Sequence, residues 1–298
     1  MIDGLIWVFT NLSMAFVNIF RALSQPGQWL DWSNKESLAR FIYYGGSTEF
    51  FFVVLALFLS ILVIGLIWRR FLWGVVIGVE AFANTTGRLF AWAGLLMVLQ
   101  QVMIVFLQRI FRVSEISLGP FGYSFSRDLS WWSEELKLYN AMIVALCCAY
   151  TFTQGGHVRV DLFYAGVRHR TKKVLDMFGS LFFILPAMTL TWLYGWFFMW
   201  RHLVNPPVSA TDTLDRMILK ARAMRWSVET IAFSPNGFDA YFLFKVLLVS
   251  FAGMMFLQGC AFFFRSLLEY IEGEDSAGKY LDKDRLEDET AETTAAIH

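Results

Sequence analysis

Apolar runs of about 20 residues constrain this chain more than any other feature, because a helix of that length crosses roughly 30 Å of hydrocarbon and lipid offers free backbone groups no partner. Four windows reach that length: residues 50–68, 88–108, 174–200 and 240–264. A fifth, 136–153, carries Lys137 and Asn140 near one end, yet its centre, AMIVALCCAYTF, is continuous enough to span. Residues 1–23 are apolar but interrupted by Asn11, Ser13 and Asn18 and followed by Arg21, which leaves them open between a span and an interfacial helix. They have neither the basic start nor the small-residue cleavage site of a signal peptide. The expected fold class is all-α, a polytopic membrane helical bundle.

Composition agrees. Aromatic residues supply 18% of the chain, charged residues only 17%, and the mean hydropathy is +0.50, a balance no soluble domain could bury. Net charge is zero, so nothing points to nucleic acid. Cys147, Cys148 and Cys260 all lie in apolar runs and read as small buried hydrophobes. Trp68 with Trp73, Trp131 with Trp132, and Trp196 with Trp200 fall where spans should meet headgroups, an aromatic belt, whereas Trp92 and Trp192 sit deeper and suit packing within the bundle.

The connections differ in kind. Residues 24–48 and 110–135 read as polar loops, with turn chemistry at Gln25-Pro26-Gly27 and Gly119-Pro120. In the longest connection, 201–239, the residues Leu214, Met217, Ile218, Ala221 and Met224 recur at helical spacing, predicting a short amphipathic helix that rests on the membrane or on a partner. Residues 269–298 hold ten acidic and three basic side chains and read as a disordered, solvated tail.

Orientation follows from the short segment 154–173, where Arg159, Arg168, Arg170, Lys172 and Lys173 face a single acid, Asp161. Placing it in the cytoplasm also puts Arg69, Arg70, Arg88 and the C-terminal tail there. The opposite side, the periplasm, then holds about as many basic groups, including Arg216, Lys220, Arg222 and Arg225, so the density in the short loop carries the argument.

Chemistry is sparse. The histidines, His157, His169, His202 and His298, all lie outside the apolar cores, which argues against axial haem ligation. No zinc spacing, phosphate-binding glycine loop or nucleophile elbow is present, and no cofactor, metal or catalytic residue is expected. Among ionisable groups in spans only Asp176 and Lys245 stand out, each close enough to a span end to snorkel. Gln100 and Gln101 lie mid-span, so at least one should face another helix; we read them as interhelical glue rather than as a transport path.

Two motifs remain. Residues 131–136 read Trp-Trp-Ser-Glu-Glu-Leu, and residues 154–163 read Gln-Gly-Gly-His-Val-Arg-Val-Asp-Leu-Phe. Gly155 and Gly156 end a helix, after which His157, Arg159 and Asp161 alternate with Val158, Val160 and Leu162. Glu134 and Glu135 sit at the start of a helix, where its dipole favours anions. These residues serve either to anchor helix ends at the interface or to make a specific inter-subunit contact, with Arg159 and Asp161 able to pair within or across subunits.

With these motifs at this separation, the chain resembles the small membrane subunit, DctQ type, of tripartite ATP-independent periplasmic (TRAP) transporters. The resemblance takes in Arg109, Asp176, Gln258 and Gly259 and covers roughly residues 88–268. It implies a four-helix membrane domain over 86–268, preceded by an N-terminal membrane extension, 1–85, that adds one or two helices and is not expected of the family, as is the length of the 201–239 loop. It implies, as partners, a large multi-spanning membrane subunit (DctM type) and a periplasmic substrate-binding protein (DctP type) in the bacterial inner membrane system. It further implies ion-gradient-driven uptake of an organic anion such as a carboxylate. The substrate and ion sites are then expected on the large subunit, leaving this chain a scaffolding and docking role and no enzymatic one. The rival reading is a membrane anchor subunit of a redox complex.

Overall fold

A computed structural model describes residues 2–118, 125–155, 166–232 and 234–282. The helices are α1 (Ile2–Ser24), α2 (Gly27–Leu30), α3 (Lys35–Gly45), α4 (Thr48–Ile67), α5 (Arg69–Val105), α6 (Leu129–Gln154), α7 (His169–Gly179), α8 (Leu185–Arg201), α9 (Leu214–Ala221) and α10 (Phe242–Glu272). α5 runs on through a π-helical stretch, Phe106–Phe111, and a second one, Ser180–Ile184, joins α7 to α8. The latter lies immediately before Pro186, which has no N–H to give and whose ring crowds the carbonyl four residues back. Strand β1 (Glu115–Leu118) pairs antiparallel with β2 (Phe125–Asp128), and β3 (Val204–Asn205) with β4 (Arg225–Trp226). Both pairs lie in connections between helices, and the fold is a polytopic helical bundle.

Among the described residues six helices are long and apolar enough to cross a membrane: α1, α4, α5, α6, the continuous α7–α8, and α10. In α1 two of the three polar interruptions, Asn11 and Ser13, are absorbed locally, as is Thr10. Thr10, Asn11 and Ser13 donate to the carbonyls of Ile6, Trp7 and Phe9, one turn back, so none of them needs water. Trp7, Leu12 and Ala15 pack on α4 around Phe52 and Ala56.

α10 is the hub. Its Val249 and Gly253 meet α8, its Gly259 meets the π-helical turn, and its Phe264 and Leu268 pack with Leu72, Trp73 and Val76 of α5. α4 lays Phe58 against Phe263 and Phe264 of the same helix. The second half of α5 runs antiparallel to α6, with Gly87 opposite Tyr150, Gly94 opposite Ile143 and Gln100 opposite Glu135. At Gly87 a Cβ would collide with the Tyr150 side chain, so only glycine permits this approach.

Several expectations change. α5 starts at Arg69 and extends unbroken to Phe111, 43 residues or about 65 Å at 1.5 Å per residue, twice what a bilayer requires. The surplus, 69–87, lies between the two apolar windows 50–68 and 88–108 and is helical throughout. Residues 24–48 are more than a polar loop: Asn34 caps α3 by accepting from the Glu36 N–H, and Leu38, Ala39 and Ile42 form one buried face. Residues 269–272 continue α10 and residues 273–282 fold back on the bundle, contrary to the expectation of a solvated tail from 269; the acidic stretch beyond Asp282 lies outside the described residues. The tryptophans also sort differently. Trp73, Trp196 and Trp200 are buried within the protein, while Trp92, expected to pack internally, is 65% exposed.

Candidate functional site

The bundle has two chemically distinct ends. At the tail face α4 and α6 finish, α7 begins and α10 ends; at the loop face lie α3, α9, the β1–β2 hairpin and the 201–241 connection.

At the tail face, Glu80, Asn84 and Arg88 recur every fourth residue along one side of α5, and Arg265 and Glu269 do the same on α10. Glu80 and Arg265 are both buried and form a bidentate pair, with Nε to Oε1 at 2.6 Å and Nη2 to Oε2 at 2.5 Å. The third nitrogen of Arg265 is used as well: Nη1 donates to the Lys279 carbonyl at 2.9 Å, and the guanidinium lies over the Trp73 ring. Glu269 is ion-paired with Lys173 of α7 and accepts from the Gly278 N–H. Trp73 Nε1 donates to Glu272. Such saturation is what a buried charge requires, since removal from water costs several kcal/mol per ion unless every polar atom finds a partner.

Residues 273–282 therefore act as a strap across the tail face. Its last described residue, Asp282, takes both terminal nitrogens of Arg88, at 2.9 and 3.1 Å, and accepts from Asn84, while its carbonyl accepts from Gln154 at the end of α6. The Arg88 hydrogen bonds hold the Asp282 carboxyl below the usual carboxylate range, with Asn84 and the Arg88 charge adding to them and desolvation opposing.

The loop face is built of rings and methionines. Met217, Ala221 and Met224, the amphipathic stripe expected in the long loop, are buried against Leu38, Ala39 and Ile42 of α3 and against Trp196 and Trp200 of α8. The indole N–H groups of Trp192 and Trp196 donate to the carbonyls of Gly45 and Ile42. Thus α9 rests on α3 of the N-terminal segment. Glu229, in the same connection, accepts from Lys245 at 2.8 Å, a bond that lowers its pKa, and lies 3.3 Å from His202.

The residues singled out in the sequence distribute as follows. Glu134 and Glu135 lie in the second turn of α6, because that helix starts at Leu129, and the dipole acts mainly in the first turn. Specific bonds hold them instead. Glu134 accepts from Ser234 Oγ at 2.9 Å and from the Phe238 N–H at 3.0 Å, fastening the long connection to α6. Gln100 donates to Glu135 at 3.1 Å and to the Trp132 carbonyl at 3.0 Å, so it faces another helix as expected. Gln101 and Arg109 are exposed. Gly155 ends α6 with φ +76°, in the left-handed region that favours glycine. Gly156, His157, Arg159 and Asp161 lie outside the described residues. The tail-face network went unread, although the four-residue spacing of 80, 84 and 88 and of 265 and 269 was available as a signal.

Residues 121–269, half of the chain, match the family described as tripartite ATP-independent periplasmic transporters, DctQ component. The chain belongs to the DctQ family. DctQ is a component of tripartite transporters and not an enzyme family, so the expected identity is borne out at that level. The matched range includes α6, α7, α8, α9 and nearly all of α10, and hence Glu134, Glu135, Gln154, Lys173, Arg265 and Glu269. No characterised protein and no solved structure matches this DctQ chain.

Proposed function

We propose that this chain is the small permease subunit of a TRAP-type secondary transporter in the bacterial inner membrane, bracing the large membrane subunit and helping to dock the periplasmic substrate-binding protein during ion-gradient-driven uptake of an organic anion. Membership of the DctQ family carries the proposal. The unit that does this work comprises α5 to α10, roughly residues 86–268; the match begins at residue 121, and the antiparallel packing of α5 on α6 supports including α5. The tail face, with Arg69, Arg70, Arg168, Arg170, Lys172 and Lys173, faces the cytoplasm, in keeping with the bias of basic residues toward that side. The loop face then meets the periplasm. There α9, pinned on α3 and the α8 tryptophans, offers a rigid platform for the soluble component.

Reconstitution tests the reading. Proteoliposomes holding the large subunit with this chain should take up the organic anion when the binding protein and an ion gradient are supplied, and those lacking this chain should not. Normal binding-protein docking and a normal rate without this chain would sink the proposal.

A further inference from the structure

Ser133, Lys137, Asn140 and Val144 of α6 follow one another at i, i+4, i+7 and i+11, and all four are exposed. The opposition of Gly94 to Ile143 places Asn140 at the depth of Met97, about midway along α5 between Arg88 and Arg109. Asn140 thus sits near the middle of the span. Gln101 of α5, exposed as well, lies one residue beyond Gln100 and so at the depth of Glu135. Neither carboxamide bonds to anything among the described residues, whereas neighbouring Gln100 is doubly bonded. Hydrocarbon cannot satisfy an amide, and bare carboxamides facing lipid on two adjacent helices mark a covered surface.

Among the described residues nothing covers it. The N-terminal helices settle elsewhere, α4 on α10 and α3 against the end of α8. By contrast, the exposed outer side of α7–α8 is purely apolar over Phe178, Phe182, Phe183 and Leu190, as a lipid-facing surface should be.

We infer that the exposed face of α5 and α6 carrying Gln101, Lys137 and Asn140 is the seat of a transmembrane helix of the large subunit. That helix presents hydrogen-bonding side chains at the depths of Gln101 and Asn140. The assignment rests on the subunit reading above and adds to it a surface and a chemistry.

A photo-reactive residue placed singly at position 101 or 140, in cells making the whole complex, should yield on irradiation an adduct with the large subunit. The same residue at positions 182 and 190 should yield none. An adduct joining two copies of this chain, an adduct with the large subunit from 182 or 190 alone, or no protein adduct from 101 and 140 would each overturn the assignment. The paired substitution Gln101→Leu with Asn140→Leu should insert normally yet lower recovery of the large subunit about tenfold, given the strength of interhelical hydrogen bonds in membranes; unchanged recovery refutes it. If the native-sequence chain co-isolates no larger multi-spanning protein at all, the subunit reading itself has failed. If it does and cross-links elsewhere, only this surface has.

Discussion

The two ends of the bundle are held by opposite means. The tail face closes with a buried ion network in which Glu80, Arg265, Glu269 and Lys173 tie α5, α7 and α10 together under a strap. The loop face closes with Met217, Met224, Trp196 and Trp200 against α3. A charge network fails abruptly when one member is lost, because the survivor stays buried and unpaired; apolar packing fails by degrees, in proportion to the volume removed. The difference also bears on what each end can do. Directional bonds fix the register of three helices, while the packed cap tolerates change at its outer surface.

The largest effect is expected at the tail face. Arg265→Met strands Glu80 in a site built for a guanidinium, and should cost about 3–5 kcal/mol. Thermal unfolding in detergent, followed by tryptophan fluorescence, checks this. The double change Glu80→Met with Arg265→Met removes both charges and should recover much of the loss. If the single variant unfolds like the native chain, the network is ornamental and the contrast between the two ends collapses.

At the loop face Met217→Ala empties a fully buried position and should cost about 2–5 kcal/mol. That loss should fall on one region. Limited proteolysis should speed cleavage within 201–241 while the tail-face strap stays protected. Equal loosening at both ends would show that the cap and the network are one cooperative unit.

Glu134→Gln probes the junction between loop and bundle. The amide keeps one acceptor but loses the charge that strengthens the bonds from Ser234 and the Phe238 N–H, so the cost should be about 1–2 kcal/mol. Hydrogen exchange at residues 234–240 should rise and that at α9 should not. A uniform rise across the loop face would make Glu134 a general support and not a local clasp.

These features were legible in the sequence to very different degrees. Spans 50–68, 136–153 and 240–264 were readable because helix in lipid is dictated by length and apolarity, local properties both; they emerge as Thr48–Ile67, Leu129–Gln154 and Phe242–Glu272. The stripe of α9 was readable for the same reason, and the structure supplies only what it rests on. The helical stretch 69–87 was missed because Arg69, Arg70, Glu80 and Asn84 lower its hydropathy, and what makes Glu80 and Asn84 tolerable lies 185 residues away at Arg265 and 198 away at Asp282. A long-range partner leaves no trace in a local window. Gln100 and Gln101 illustrate the limit from the other side: adjacent, identical and both mid-span, they end one bonded to α6 and one exposed.

The smallest effect concerns the edge of the strap, and its sign can be worked out. The Asp282 carboxyl titrates below its unfolded value because Arg88 and Asn84 bond to the ionised form. A group with a depressed folded pKa adds stability that is fully present above its unfolded pKa, about 3.9, and is lost as pH falls through the folded value. The strap should therefore stay closed from neutral pH down to about pH 4 and begin to open only below it. Because both partners are largely exposed, the contribution is held to about 1 kcal/mol or less. Asp282→Asn should mimic acid at neutral pH by raising hydrogen exchange at residues 278–282, with little change at Glu269. If protection at 278–282 is instead lost between pH 7 and pH 5, some group other than Asp282 closes the strap. Asp282→Asn should leave hydrogen exchange at α9 unchanged, since that helix is held by Met217 and Met224 and by its own pair, Lys220 with the buried Asp212, and a matching rise there would erase the distinction between the two ends.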